Sequence, residues 1–230
     1  MTPMTAANRD ILGLSVYRVR GRGPGSGGCD ILAADDGEVL GVASPGGAGG
    51  GRMRRLLAYR VCRYPAIAFA VVATPLWLAG VILRLWPWEP RSLRPRLIAR
   101  GADGREILTL RVASGLMYDS RRVYDGRGRL VAHFRSGGKA SVRRGFEIID
   151  LRGREDDDPD IGECPSLGRV EAAGGAYTLR LGDDPSAGRI TPRDGDGSHD
   201  VEASPGLADA AAGPLLLLAA ALTLAWSPPA

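Results

Sequence analysis

The sequence predicts a mainly β fold, a sandwich or barrel of short antiparallel hairpins arranged around one apolar helix near its C-terminal end. Three observations predict it. Strand-like runs broken by Asp–Gly turns recur, as in CDILAADDGEVLGVA and RLIARGADGREILTLRV. The turn glycines Gly104, Gly128 and Gly153 fall 24 and 25 residues apart, and evenly spaced short strands with turn signals indicate an all-β architecture. The run Pro214 to Trp226, PLLLLAAALTLAW, is apolar on every face. As a helix it can leave no side in water.

Taken in order, Ile11 to Val19 reads as a first strand that runs into the loose turn VRGRGPGSGG. The first hairpin spans Asp30 to Val42 and turns at Asp35-Asp36-Gly37, where glycine accepts the positive φ of a tight turn. Its copies turn at Asp103-Gly104, around Asp125 to Gly128, and at Asp150 to Gly153. AYTLRLGDDPSAGRI, near Gly182 to Gly188, is a degraded fifth copy. Each hairpin alone is marginal, so several must share one apolar face. Ser44 to Gly51 is a flexible linker by composition. Asp183 to Asp200 is rich in Asp, Gly, Pro and Ser, so residues 183–206 are expected to form a long flexible loop. The C-terminal helix is expected within 207–226, with Gly213-Pro214 as punctuation at its start and Ser227-Pro228-Pro229 as its stop. Thirteen residues reach roughly 20 Å, short of the roughly 30 Å bilayer core. That length favours burial inside the protein's own fold over the alternative, a tail anchor.

Composition narrows the function. A chain of 230 residues allows one large domain or two small ones. Lys139 is the only lysine, and the arginine, alanine and glycine excess is that of a GC-rich coding sequence. A net charge of +4 is too mild to suggest a nucleic-acid partner. Cys29, Cys62 and Cys164 are far apart with no Cys-x-x-Cys, which predicts a reducing compartment and neither a zinc site nor a disulfide framework. The first residues lack a signal-peptide layout, so a cytoplasmic location is expected. The acidic run Glu155 to Asp160 lacks the ligand spacing of a calcium loop. His133, on a strand, and His199, in the acidic loop, have no metal-ligand partner at useful spacing. Tyr17, Tyr118, Tyr124 and Tyr177 read as sheet residues. No catalytic motif occurs, so the chain is expected to be non-enzymatic, without cofactor or metal.

The segments Val123 to Val131 (VYDGRGRLV) and Phe146 to Asp150 (FEIID), with the opening hairpin and the leucine-rich end, resemble the tubby-like superfamily. Within it the similarity is to phospholipid scramblase and LURP-one-related proteins. The resemblance implies a closed antiparallel β-barrel wrapped around a hydrophobic C-terminal helix, and one barrel domain over residues 1–230. It also implies a lipid-facing tendency, with lipid translocation as an extension. The chain departs from the family pattern in its eroded fourth and fifth repeats and in the insertion from Arg52 to Pro95. It has no counterpart of the cysteine-rich palmitoylation segment of animal scramblases.

Within the insertion, Pro65 to Leu83 carries no charge over nineteen residues, which makes it a membrane candidate. Arg52, Arg54, Arg55, Arg60 and Arg63 precede it; Arg84, Arg91, Arg94, Arg96 and Arg100 follow. Trp77, Trp86 and Trp88 are candidate interfacial aromatics. A single crossing would place the first hairpin opposite the others, so one barrel could not close. Two crossings do not fit, because each arm around Thr74-Pro75 has only about nine residues where about 20 are needed. A re-entrant or interfacial helix pair on anionic headgroups is therefore expected; a helix covering an apolar patch of the barrel is the alternative. The candidate lipid-binding residues are Arg52, Arg54, Arg55, Arg60, Arg63, Trp77, Arg84, Trp86 and Trp88, and the expected partner is the anionic inner face of the cell membrane. A soluble protein-interaction barrel is the competing function.

Overall fold

The turns form as their residues dictate. Asp36, Asp103, Asp125 and Asp150 each accept the backbone N–H two residues on, at 2.9 to 3.0 Å. Gly37, Gly104, Gly128 and Gly153 sit at φ 71°, 78°, 77° and 79°, which only glycine adopts freely. The computed structural model describes residues 10–23, 27–46, 96–112, 119–136, 144–154, 164–193, 197–209 and 212–226.

The turns join twelve strands: β1 (Val16–Gly21), β2 (Cys29–Ala33), β3 (Val39–Pro45), β4 (Arg96–Gly101), β5 (Glu106–Val112) and β6 (Asp119–Asp125), then β7 (Leu130–Ser136), β8 (Gly145–Asp150), β9 (Ser166–Ala173), β10 (Ala176–Leu181), β11 (Asp184–Pro192) and β12 (Ser198–Ala203). Every strand pairs antiparallel with its sequence neighbours, and β1 pairs with β12, so the sheet closes into a barrel without a free edge. One helix follows, α1 (Gly213–Ala225).

Strand alternation sends an apolar residue inward from each strand: Val19, Ile31, Ala43, Leu97, Leu110 and Val123, then Phe134, Ile148, Val170, Leu179, Ile190 and Val201. α1 fills the space they enclose. Leu215 to Leu222 are all buried, and the helix packs against β1, β11 and β12 on one wall and β5 and β6 on the opposite one. A helix apolar all round is thus satisfied all round; the tail-anchor alternative fails because the barrel itself supplies the apolar surroundings. Each fully buried leucine contributes about 1.5–3 kcal/mol relative to exposure.

Four expectations need correction. Residues 183–206 are not a loop, since β11 and β12 lie within them. Their inner face is legible only with the helix in place: a Cβ on Gly188 would stand 2.7 Å from a Leu217 methyl, so α1 supplies the bulk the strand lacks. The first strand starts at Val16, because Ile11–Gly13 forms a 3-10 turn capped by Asp10, which accepts the Leu12 N–H at 3.1 Å. β9 was not expected, because on it only Val170 is fully buried. The helix begins at Gly213 and not at 207; Pro205–Asp209 is a separate 3-10 segment whose Leu207 enters the core.

The entry to α1 is strained. Ala212, at its N-terminal cap, has φ 67° and ψ 5°, a left-handed conformation that costs a Cβ-bearing residue roughly 1–2 kcal/mol. Ala212→Gly is expected to raise stability by about 1 kcal/mol. Urea unfolding measures it, and a destabilised variant would show that the alanine methyl packs better than the strain costs.

Candidate functional site

Antiparallel order gives the barrel two rims. The Asp–Gly turns lie at one, where α1 also begins. The connections from β1 to β2, β3 to β4, β5 to β6, β7 to β8, β9 to β10 and β11 to β12 lie at the other, where α1 ends. The second rim gathers the features of interest.

Inside it, Arg121 is buried at 4% exposure. Its Nη1 donates to the Thr223 carbonyl at 2.8 Å, and its guanidinium lies 5.3 Å from the Trp226 ring centroid. The last carbonyls of a helix lack intrahelical partners and carry partial negative charge, so the buried cation is matched where it sits. The sequence reading assigned Arg121 no role. The signal was present: in Arg121-Arg122 on a strand, one of two adjacent arginines must face inward. Cys29 is fully buried on the neighbouring inner wall, and burial, with Asp30 adding to it, pushes its thiol up to about 12. It stays a protonated thiol and is no nucleophile at neutral pH.

The insertion leaves and returns at this rim. Pro45, at the end of β3, is the register partner of Leu97 on β4, and Ser44 of Ile98. Arg52, Arg54, Arg55, Arg60, Arg63, Trp77, Arg84, Trp86 and Trp88 lie outside the described residues. Of the flanking arginines that are described, Arg96 is exposed at the rim. Arg100 is carried along β4 toward the opposite rim and pairs with Glu106 at 2.8 Å, so it does not belong with the insertion.

On the outer wall, an open groove of about 710 Å³ runs over β8, β9 and β10. Its Arg169 and Arg180 share one carboxylate, Glu171, at 2.6 and 3.0 Å. Its Ser166 hydroxyl shares its one proton between the backbone carbonyls of Ile148 (3.4 Å) and Gly168 (3.3 Å). Among the described residues no imidazole or carboxylate is hydrogen-bonded to that hydroxyl as a catalytic base would be. His133 is 6% exposed on the outer side of β7 and is held down to about 4 by burial, by Arg122 and by Arg135. It is neutral at physiological pH. Among the described residues no group of three or more His, Cys, Asp or Glu is placed to hold a metal ion, and no helix is long and apolar enough to cross a membrane.

No family model and no curated protein matches the chain. Among solved structures, an X-ray structure of a protein from Arabidopsis thaliana is similar at 11% identity over 88% of each chain, with a TM-score of 0.44.

Proposed function

We propose that this chain is a non-enzymatic barrel that binds anionic phospholipid at the cytoplasmic face of a membrane through its insertion, as a member of the tubby-like and scramblase-related group. The observation that carries the reading is the pairing of Pro45 with Leu97. A chain that leaves and re-enters a barrel between adjacent paired strands crosses a bilayer an even number of times or not at all. Two spans need about 20 apolar residues each, and Pro65 to Leu83 supplies nineteen in all. That argues against a span, and on this reading the run meets the interface, with Arg52, Arg54, Arg55, Arg60, Arg63 and Arg84 offered to headgroups and Trp77, Trp86 and Trp88 to the boundary; packing of the run against the barrel is the alternative.

The barrel wall supports the same division of labour. Its lumen is apolar and filled, while its outer face carries ion pairs such as Arg18–Asp200 at 2.7 Å and Arg135–Glu147 at 2.6 Å. That is the inverse of a lipid-embedded barrel, which is apolar outside. The wall suits water, and the insertion is left to meet lipid.

Co-sedimentation with vesicles tests this. Binding to phosphatidylserine-containing vesicles is expected to fall between 0.1 and 1 M salt as the Debye length shrinks from about 10 to about 3 Å, without vanishing. Changing the five arginines from Arg52 to Arg63 to glutamine should flatten the salt dependence. Deleting Pro65 to Leu83 should remove the salt-resistant part. A folded protein that stays in the supernatant at low salt would replace this reading with a soluble interaction barrel.

A further inference from the structure

The groove over β8 to β10 has no part in the lipid reading. It opens where the sheet is irregular. Register between β8 and β9 passes from Ile148–Gly168 to Ile149–Ser166, so Leu167 is an extra residue on β9. Such a bulge bends its strand and re-aims the side chains around it. Half-buried Leu167 and exposed Pro185 give the groove an apolar patch. From Gly145 to Ile149 the wall advances four steps, about 13 Å at the rise of a strand.

Its two ends differ in charge. Arg144, at the start of β8, lies toward the rim where the insertion leaves. Beside it, Arg169 and Arg180 face each other across β9 and β10 in direct register. Like charges so placed destabilise a sheet, and Glu171 relieves the pair by giving one oxygen to each. A guanidinium has five N–H donors, so one carboxylate oxygen apiece leaves donors to spare on both. Arg144 is exposed and has no ion pair among the described residues. Glu147 lines the same stretch but is paired with Arg135, outside the groove, at 2.6 Å. At the other end, the turn from β10 into β11 brings Asp183 and Asp184. Asp184 is committed, accepting the Ser186 N–H at 2.9 Å and the Ser204 hydroxyl at 3.3 Å, while Asp183 is exposed.

We infer that this groove docks a short extended segment of a partner protein, acidic where it meets Arg144, Arg169 and Arg180, apolar over Leu167, and basic where it meets Asp183. The length of the groove matches about five extended residues. A bilayer or a polyanion carries one sign of charge, so it is attracted at one end and repelled at the other. The barrel has no free edge, so the segment cannot add as a strand. Side-chain charge and the apolar patch carry the recognition instead.

Fluorescence anisotropy on the full chain at low salt tests this with four labelled hexapeptides. EEVLKK and KKVLEE present opposite charges at their two ends in the two chain directions; EEVLEE and KKVLKK carry one sign. One of the first two is expected to bind at least about fivefold more tightly than either of the others. R144Q/R180Q is expected to weaken that peptide between about twofold and about thirtyfold, the range for two exposed ion pairs. D183N is expected to narrow its preference over EEVLEE. All three positions are exposed, and R180Q leaves Glu171 paired with Arg169, so the fold should survive; thermal unfolding checks it. The Arg52 to Arg63 glutamine variant should bind the peptide as the parent does, since the groove stands apart from the insertion. No binding of EEVLKK or KKVLEE at millimolar concentration, or equal binding of EEVLEE, overturns the proposal. So does a folded R144Q/R180Q chain that binds the peptide as the parent does. If that chain is also released from phosphatidylserine vesicles, these arginines meet a membrane and not a peptide.

Discussion

Leu218→Asp is expected to leave no cooperatively folded barrel. Leu218 is fully buried at the middle of α1, with wall on every side. An aspartate there must sit as an unpaired carboxylate among hydrocarbon, protonate, or unfold its surroundings. The cost is several kcal/mol before the lost leucine packing is counted, against a typical domain stability of about 5–15 kcal/mol. Leu218→Ala isolates the packing part and should cost about 2–5 kcal/mol, since the closed wall cannot collapse into the space. Urea unfolding followed by tryptophan fluorescence reads both, Trp226 lying at the end of the same helix. An L216D/L218D chain that unfolds cooperatively near the parent midpoint would mean that the helix does not hold the wall together.

Acidification should weaken the fold well before the carboxylates titrate, and His133 is the reason. Its pKa is lowered from 6.5 to about 4, first by burial and then by Arg122 and Arg135. The unfolded chain therefore binds the proton more readily than the folded one. Stability is unaffected above about pH 6.5 and is lost progressively as pH falls from there to about 4. The span corresponds to about 3 kcal/mol. Asp125 and Asp150 are themselves held below the ordinary aspartate range, Asp150 chiefly by its hydrogen bond from Arg152, so their loss comes at lower pH. Measuring urea midpoints at pH 7, 5.5 and 4 separates the two regions. His133→Gln should remove most of the slope above pH 4. An unchanged slope in that variant would assign the proton uptake elsewhere.

The parts of the fold that the sequence showed were those written in local chemistry. Asp103-Gly104 and Asp125 to Gly128 announce themselves because an aspartate oxygen and a positive-φ glycine make a turn with no help from elsewhere. The all-round apolar character of Leu215 to Leu222 is equally local, and it demanded an enclosing wall. What the sequence hid depends on partners distant in the chain. β11 looks like loop because its Gly188 cedes its volume to Leu217, and β9 because its bulk is on the solvent side. The adjacency of Arg96, Arg111, Arg122 and His133 on β4, β5, β6 and β7 likewise exists only in the register between those strands. No window along the sequence contains it. The tryptophans and arginines of the insertion were conspicuous from composition alone, and they lie outside the described residues.

The closing pair of strands also sets the order in which the molecule can be made. β1 needs β12, and Arg18 finds Asp200 across 182 positions of chain. The helix that fills the lumen comes after every strand of the wall. At about 5–20 residues per second, the strand made first waits roughly 10 to 40 seconds for the helix that will cover its inner face. Until that helix is made, Val19, Ile31 and, once synthesised, Leu97 lie uncovered on the inner face of an open, curling sheet whose edges are unpaired. Folding is thus a race between the ribosome and self-association, with high contact order slowing the final step. Chains stalled or cut before Gly213 should be captured by chaperones or aggregate, however complete their twelve strands are.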